Sequence, residues 1–217
     1  MTLKLYLHPL ASYCWKALIA FYENGVSFEP IVVDLMDEIS RAAFLELSPL
    51  GKMPVLRDEA RGRTVPESTI VIEYLDRFYL GSESLIPADS DLALQVRLAD
   101  RFYDLYVHEP MQKIVLDRLR PDGAKDLYGV QAARAQLENS YAMIEKDMAG
   151  KRWAVGEAFS LADCAAMPAL FYAAKVAPFA ENHPETARYL DRLMERPSVV
   201  RVLREAQPYF GMFPAGQ

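Results

Sequence analysis

The sequence predicts an α/β domain followed by an all-α domain. Strand and helix patterns alternate over the first 80 residues, whereas every later segment has the periodicity of a helix. The two patterns meet in the segment GSESLIPADSD, which is rich in the small and polar residues of a linker. We therefore expect domains at residues 1–80 and 92–217, joined by a linker at residues 81–91.

The first domain is predicted to have the element order βαβαββα. The strand patterns cover Leu3–Leu7, Phe28–Val33, Met53–Arg57 and Thr64–Val65. The first helix ends at the stop signal Asn24-Gly25, and the last helix runs from about Glu67 to Leu80. A charged DEARGR turn separates the two later strands, which are therefore expected to pair as a hairpin. An irregular helical piece precedes that hairpin.

The second domain is predicted to be a bundle of helices. Apolar residues at helical spacing mark two long helices, at Leu94, Leu98, Phe102 and Leu105 and at Leu137, Tyr141, Ile144 and Met148. Three shorter helices are predicted at Ala162–Val176, Pro184–Arg196 and Pro197–Ala206. Pro110 and Pro168 lie inside helical patterns, where each is expected to end or kink the helix unless local geometry tolerates its missing N–H.

Composition and charge exclude several classes of function. The 217 residues carry 24 Lys and Arg against 30 Asp and Glu, so no basic surface for nucleic acid is expected. Two cysteines and three histidines lack the spacing of a disulfide framework or a zinc site. The longest uncharged apolar run, Cys164–Ala174, is shorter than the ~20 residues of a membrane span, and no signal-peptide core develops at the start. We expect a cytoplasmic protein with no metal and no membrane or nucleic-acid partner.

The segment SPLGKMPVL, residues 48–56, enters a predicted strand through Pro54. Proline cannot donate a ladder hydrogen bond, and the residue before it is held extended. If the Met53–Pro54 bond is cis, the backbone N–H and C=O of Met53 offer two points of attachment to a peptide-like ligand. The alternative is a trans proline at a sheet edge, which the residues alone favour because only about 5–6% of X-Pro bonds are cis.

Glu67 and Ser68 open the helix predicted after Pro66. A helix N-terminus offers unpaired N–H groups and a partial positive charge, so it can bind a ligand carboxylate with the Ser68 hydroxyl as an additional donor. Glu67 is then available to pair with a ligand ammonium, and the two interactions together match the head of an amino acid. The alternative is a plain cap, in which both side chains close the first turn of the helix.

Ser12, Tyr13 and Cys14 lie where the first strand turns into the first helix. A hydroxyl there can stabilise an anion such as a ligand thiolate. Lowering a thiol pKa by two units takes about 2.7 kcal/mol, and a hydrogen bond to a charged group supplies about 1.5–3 kcal/mol. The alternatives are structural, with Ser12 as a cap, Tyr13 as a packing residue and Cys14 as a small buried side chain.

Ser160 and Asp163 have the spacing of a capping box. Ser160 is expected to cap the helix, and the side chain of Asp163, three residues later, is expected to bond back to the backbone N–H of Ser160. Phe159 is available as a hydrophobic staple. We assign this pair a structural role.

Taken together, these motifs make the chain resemble the cytosolic glutathione S-transferase family over essentially its whole length. The motifs are SPLGKMPVL, the Glu67-Ser68 pair at a helix start and the pattern Gly156-x-x-x-Ser160-x-x-Asp163 in the second domain. Each is weak alone, and their order and spacing make the resemblance specific. It implies a thioredoxin-like first domain, an all-α second domain, glutathione as cosubstrate and a homodimer.

The resemblance also implies a glutathione site in the first domain. By this resemblance Pro54 is cis, the Met53 backbone holds the cysteinyl part of glutathione, and Glu67 and Ser68 hold its γ-glutamyl end. Lys52 is expected to approach the glycyl carboxylate, which suits a compact cation.

The catalytic residue is expected near the start of the first helix. Ser12 falls where the bacterial beta-like class has its cysteine, and on the second serine of the Ser-Ser-Cys run of the zeta-like class, whose first serine falls on Ala11. Ser12 is therefore the first candidate to donate to the glutathione sulfur, Tyr13 is the second and Cys14 the third.

The implied activity is attack of the glutathione thiolate on a hydrophobic electrophile, by conjugation or by peroxide reduction. Trp15 and Lys16 resemble the zeta-like class, so an isomerase of the maleylacetoacetate type is an alternative, from which Ala11 departs. A non-catalytic binding or interaction protein is another, because a fold alone does not establish function. The electrophile is expected between the domains, where the candidate wall residues are Leu10, Tyr13, Tyr103, Tyr106, His108 and Met111. Ordinary packing is the alternative for these residues.

Overall fold

The computed structural model describes residues 3–79, 81 and 84–214. Its first domain contains a four-stranded sheet in the order β2-β1-β3-β4. The strands are β1 (Leu3–Leu7), β2 (Glu29–Val32), β3 (Val55–Asp58) and β4 (Arg63–Pro66). Strand β2 is parallel to β1, and the other neighbouring pairs are antiparallel. The predicted strands are confirmed, with ends shifted by one or two residues.

Among residues 3–79, three helices complete the first domain and confirm the predicted order βαβαββα. They are α1 (Ser12–Glu23), α2 (Glu38–Leu47) and α3 (Ser68–Phe78). Helix α1 ends at the predicted Asn24-Gly25 signal, where Gly25 has a φ of 60° that suits glycine. Leu80, the expected end of the last helix, lies outside the described residues.

The second domain is all-α, as predicted. Its helices are α4 (Ser90–Phe102), α5 (Glu109–Arg118), α6 (Leu127–Met148), α7 (Leu161–Val176), α8 (Pro184–Met194) and α9 (Pro197–Ala206), with a π-helical segment at Tyr103–His108 and short 3₁₀ turns at Asp122–Ala124 and Gln207–Met212. Helix α4 begins inside the expected linker, of which residues 82 and 83 lie outside the described residues. None of the described helices combines the length and the apolar character that a membrane span requires.

The two prolines inside the predicted helices have different surroundings. Pro110 lies in the first turn of α5, directly after the π-helical segment. Pro168 lies within α7, which continues past it to Val176, so this proline does not end its helix.

The two domains share one continuous apolar core. Helix α1 packs on α7 at its centre, and every α1 residue from Cys14 to Phe21 is buried. Trp15 is fully buried against the aromatic rings of Phe171 and Tyr172 on α7. The N-terminus of α1 is therefore fixed at the boundary between the domains.

The capping box predicted at the start of α7 is present. The carboxylate of Asp163 accepts hydrogen bonds from the Ser160 N–H at 2.9 Å and from the Ala154 N–H at 2.9 Å. The hydroxyl of Tyr189 donates to the same carboxylate at 2.6 Å. Asp163 thus joins the start of α7 to α8 as well as capping its own helix.

Candidate functional site

The register of the sheet brings three segments that are distant in sequence to one end of the first domain. Tyr6, near the end of β1, pairs with Val55 at the start of β3, and Val55 pairs with Pro66 at the end of β4. The turn that follows β1, the residues that precede β3 and the residues that follow β4 therefore lie together. These segments carry the three predicted motifs of the first domain.

The segment before β3 has the backbone form that the family resemblance implies, and not the trans form that the residues alone favour. The Met53–Pro54 bond is cis. Gly51 has a φ of 62° and its N–H donates to the Ser48 carbonyl at 2.9 Å, so a tight turn precedes this bond. Lys52 is exposed beside it, where its ammonium is accessible to an anion.

The start of α3 is not a plain helix cap. Glu67 holds the N-cap position without a capping hydrogen bond from its side chain, and its carboxylate is exposed. Its φ of 68° makes it the one non-glycine residue with a positive φ among residues 3–79, 81 and 84–214. Such backbone strain costs about 1–3 kcal/mol and is concentrated at functional sites. Ser68 follows as the first residue of the helix and is buried.

Ser12 makes its contact with the second domain rather than with its own helix. Ala11 holds the N-cap position of α1 without a side-chain hydrogen bond, so Ser12 is not the cap. The Ser12 Oγ is in hydrogen-bond contact with Nε2 of His108, 96 positions later. The ring of Tyr13 packs on the same imidazole, with 4.1 Å between the ring centroids. Ser12, Tyr13 and His108 thus form one cluster at the domain boundary.

His108 is a neutral imidazole in this cluster. It is 2% exposed, and its Nδ1 has no hydrogen-bond partner among the described residues. Burial, and secondly the positive charge of Lys16, lower the pKa of His108 to about 4. The side chain therefore carries no charge at neutral pH.

The two cysteines are core residues. Cys14 is fully buried, and burial raises the pKa of its thiol to about 12. Cys164 is also fully buried and free. Cys14, the third candidate for contact with a ligand thiol, therefore lies on the core side of α1.

The expected electrophile wall divides into accessible and buried residues. Leu10 is partly exposed, its carbonyl accepts a hydrogen bond from Tyr172 at 2.8 Å, and Tyr106 is 50% exposed. Tyr103 and Met111 are each 4% exposed and pack in the core of the second domain, and His108 is 2% exposed against Ser12 and Tyr13, so the expectation for these three needs correction. Periodicity marked the helix that carries Tyr103, but Tyr103 lies in a π-helical segment, whose side-chain directions differ from those of an α-helix.

A buried ionic cluster was missed at the sequence level. Lys16 is fully buried, and its Nζ lies 2.5 Å from Asp100 Oδ1, 2.8 Å from Asp104 Oδ2 and 2.8 Å from Thr69 Oγ1. Arg101 binds both aspartates from the solvent side. The available signal was a lysine one helical turn after Ser12 within an otherwise apolar helix.

A cavity of about 520 Å³ lies on the other side of α1, between β2 and α9. Leu18, Phe28 and Val202 are among its lining residues, and none of the predicted site residues lines it. Among the described residues, no group of three or more His, Cys, Asp or Glu side chains is arranged to hold a metal ion.

The chain matches known proteins in both domains. Residues 5–83 match the family model described as glutathione S-transferase, N-terminal domain, and residues 104–197 match glutathione S-transferase, C-terminal domain. A probable maleylacetoacetate isomerase of Caenorhabditis elegans is 25% identical over 96% of this chain and 96% of its own length.

Solved structures agree with the sequence matches. A glutathione S-transferase of Methylobacillus flagellatus KT with glutathione bound superposes with a TM-score of 0.85 and 26% identity, over 93% of this chain and 98% of that one. Another, from Methylobacterium radiotolerans JCM 2831 in complex with glutathione sulfonate, has a TM-score of 0.81 and 25% identity over 100% of this chain and 97% of that one. Because the two family models together span most of the sequence and the observed fold agrees with them, the chain belongs to the cytosolic glutathione S-transferase family.

Proposed function

We propose that the protein is a glutathione transferase, in which the Ser12 hydroxyl activates the thiol of bound glutathione for attack on a hydrophobic electrophile. The observation that carries this assignment is the contact of Ser12 with a buried, neutral His108 at the N-terminus of α1. This contact lies at the end of the sheet where the Met53–Pro54 and Glu67-Ser68 segments meet.

The remaining glutathione contacts follow from the chemistry of the three segments. The Met53 backbone pairs with the cysteinyl part, as a strand pairs with an extended peptide. The Ser68 hydroxyl and the N-terminus of α3 bind the γ-glutamyl carboxylate, while the exposed carboxylate of Glu67 pairs with the γ-glutamyl ammonium. Lys52 pairs with the glycyl carboxylate.

The role of His108 is to orient the Ser12 hydroxyl. Because Nδ1 has no partner among the described residues, one of the two imidazole tautomers leaves a buried N–H unpaired and the other leaves a lone pair unpaired. Orphaned N–H groups are the rarer of the two in proteins. The favoured tautomer therefore donates Nε2–H to Ser12 Oγ, which leaves the serine O–H free to donate to the glutathione sulfur.

The chemical step then needs little more than proximity and this hydrogen bond. The first turn of α1 has no acidic residue that would oppose a thiolate. The thiol loses its proton to solvent, the sulfur forms a bond to the electrophilic carbon, and the leaving group departs with its electron pair. Leu10, Tyr13 and Tyr106 form the accessible wall for that electrophile. Tyr13 is the second candidate for the sulfur contact.

Isomerisation of the maleylacetoacetate type is the second candidate function. It is supported by the match to the Caenorhabditis elegans relative over nearly the whole of both chains. The same glutathione site serves both reactions, so the choice between them depends on the electrophile.

Removing the Ser12 hydroxyl tests the catalytic assignment. Ser12→Ala is expected to lower kcat for conjugation of a chlorinated arene by roughly 10- to 100-fold, because one hydrogen bond to a charged group contributes about 1.5–3 kcal/mol. The affinity for glutathione, measured by calorimetry, is expected to change far less. Ser27→Ala, an exposed serine on the loop before β2, is the matched control. An equal loss of rate and affinity in Ser12→Ala would contradict the role.

The neutral state of His108 makes stability depend on pH. Its pKa is about 4 in the folded protein and about 6.5 in an unfolded chain, so the unfolded chain binds the proton first as the pH falls. The resulting stability is complete above pH ~6.5 and is lost toward pH ~4, by about 2–3 kcal/mol. Urea unfolding at pH 7.5 and 4.5 should show this loss in the wild type, and His108→Gln should show it reduced by that amount. The same pH dependence in both proteins would refute a buried neutral imidazole.

Three further assignments follow the same proposal. We propose the domain limits 1–80 and 92–217 with a linker at 81–91. Both cysteines are buried and free, which suits the reducing cytoplasm.

A homodimer would cover the exposed leucines of α4, Leu94 at 67% and Leu98 at 70%, together with the half-exposed Ile70 of α3.

Light scattering tests the homodimer. The expected mass is about twice the 24.5 kDa of one chain. Leu98→Glu should halve that mass, because it places a charge in an apolar interface. Leu127→Glu, a similarly exposed leucine on α6, should leave it unchanged. A wild-type protein of single-chain mass would rule out the dimer.

A further inference from the structure

Two contacts, one helical turn apart, connect the same face of α1 to the π-helical segment of the second domain. Ser12 and Lys16 are four residues apart and therefore lie on one face of α1. Asp104 and His108 are also four residues apart, on the π-helical segment. Ser12 contacts His108 and Lys16 contacts Asp104. The Lys16–Asp104 contact therefore determines the position of the Ser12–His108 contact.

The Lys16 ammonium also reaches the start of α3. It donates to Thr69 Oγ1 at 2.8 Å, and Thr69 is the neighbour of Ser68. The Thr69 hydroxyl in turn donates to Asp100 at 3.0 Å. One buried cation therefore connects the helix that begins at Ser12, the helix that begins at Ser68 and the second domain.

The cluster is balanced in charge. Two cations, Lys16 and Arg101, face two carboxylates, Asp100 and Asp104. The side chains of Lys16 and Asp100 are each 1% exposed, so each ion depends on its partner for stabilisation. Arg101 is 48% exposed and neutralises the solvent side only.

We infer that Lys16 is a positioning residue of the thiol-activation site, whose buried ammonium holds Asp104 and Thr69 and thereby fixes Ser12 against His108 and beside Ser68. This inference rests on the proposed function for its catalytic consequence. Its structural part, the fixed environment of His108, stands independently of that function.

His108 reports on this arrangement because several charged or titratable groups lie on the elements packed around it. These groups are Tyr13 and Lys16 on α1, Asp100 and Arg101 on α4, Asp104 on its own segment, Glu109 on α5, Tyr141 on α6, and Asp163 and Cys164 on α7. The positive charge of Lys16 opposes protonation of His108. Its removal leaves the two aspartates in excess over Arg101, which favours the imidazolium.

The experiment compares three variants in the full-length protein. Lys16→Met removes the charge and keeps the length of the side chain. Lys16→Met combined with Asp104→Asn restores the charge balance without the Lys16–Asp104 contact. The restored balance protects folding if the single variant is unstable. Lys4→Met, which removes a partly exposed lysine of β1 that pairs with Glu59, is the matched control. Each protein is assayed for conjugation kinetics and for the NMR titration of His108, whose signals are assigned with His108→Gln.

The expected result is a loss in kcat on the order of 10²-fold for Lys16→Met, with a change in KM for glutathione of roughly threefold or less, because misplacement of a catalytic group acts on the chemical step. The His108 titration should move up by roughly one unit. The double variant should fold and keep the low kcat, and Lys4→Met should match the wild type. Recovery of kcat in the double variant would show that Lys16 serves charge balance alone and would overturn the inference.

The two proposals fail in different ways. If Ser12→Ala keeps its rate while Lys16→Met still moves the His108 titration, the serine mechanism is wrong and only the structural part of the inference holds. If Ser12→Ala loses its rate while Lys16→Met keeps both kcat and the wild-type titration, the inference alone is wrong.

Discussion

The buried ammonium of Lys16 is the interaction on which the arrangement of the site depends. It lies within 2.8 Å of two carboxylates of the second domain and of a hydroxyl on α3. An uncompensated charge in such a place costs about 3–5 kcal/mol, so these groups must remain together in the folded protein. The requirement fixes α1 against the second domain at the turn that follows Ser12, and in the proposed mechanism it therefore sets the geometry in which the thiol is activated.

Helix α1 contributes to the candidate site, to the apolar core and to the contact between the domains because of where it begins. Its N-terminus follows β1, at the end of the sheet where the segments before β3 and after β4 also meet. Its apolar faces bury Trp15 and Cys14 against α7. Its remaining face presents Ser12 and Lys16 to the second domain. In the proposed mechanism, glutathione bound by the first domain has its sulfur beside a hydroxyl that the second domain orients.

Much of the fold follows from local patterns, and part of the site does not. Hydrophobic periodicity predicted the element order, and the spacing of Ser160 and Asp163 predicted the capping box that the structure contains. The Ser12–His108 contact joins residues 96 positions apart, and no local pattern encodes it. The partners of Lys16 lie 53 and 88 positions away for the same reason. Burial of Tyr103 depends on a π-helical segment that periodicity alone does not distinguish from an α-helix.

The ultraviolet absorbance of the thiolate of enzyme-bound glutathione, recorded as a function of pH, tests the central claim most directly. The claim is that Ser12, held by His108, and the N-terminus of α1 stabilise the anion. The account predicts a titration midpoint about two units below the value of about 8.5 for a free thiol, since the hydrogen bond and the helix terminus together supply the required free energy. A bound thiol that titrates at the same pH as the free thiol would contradict it.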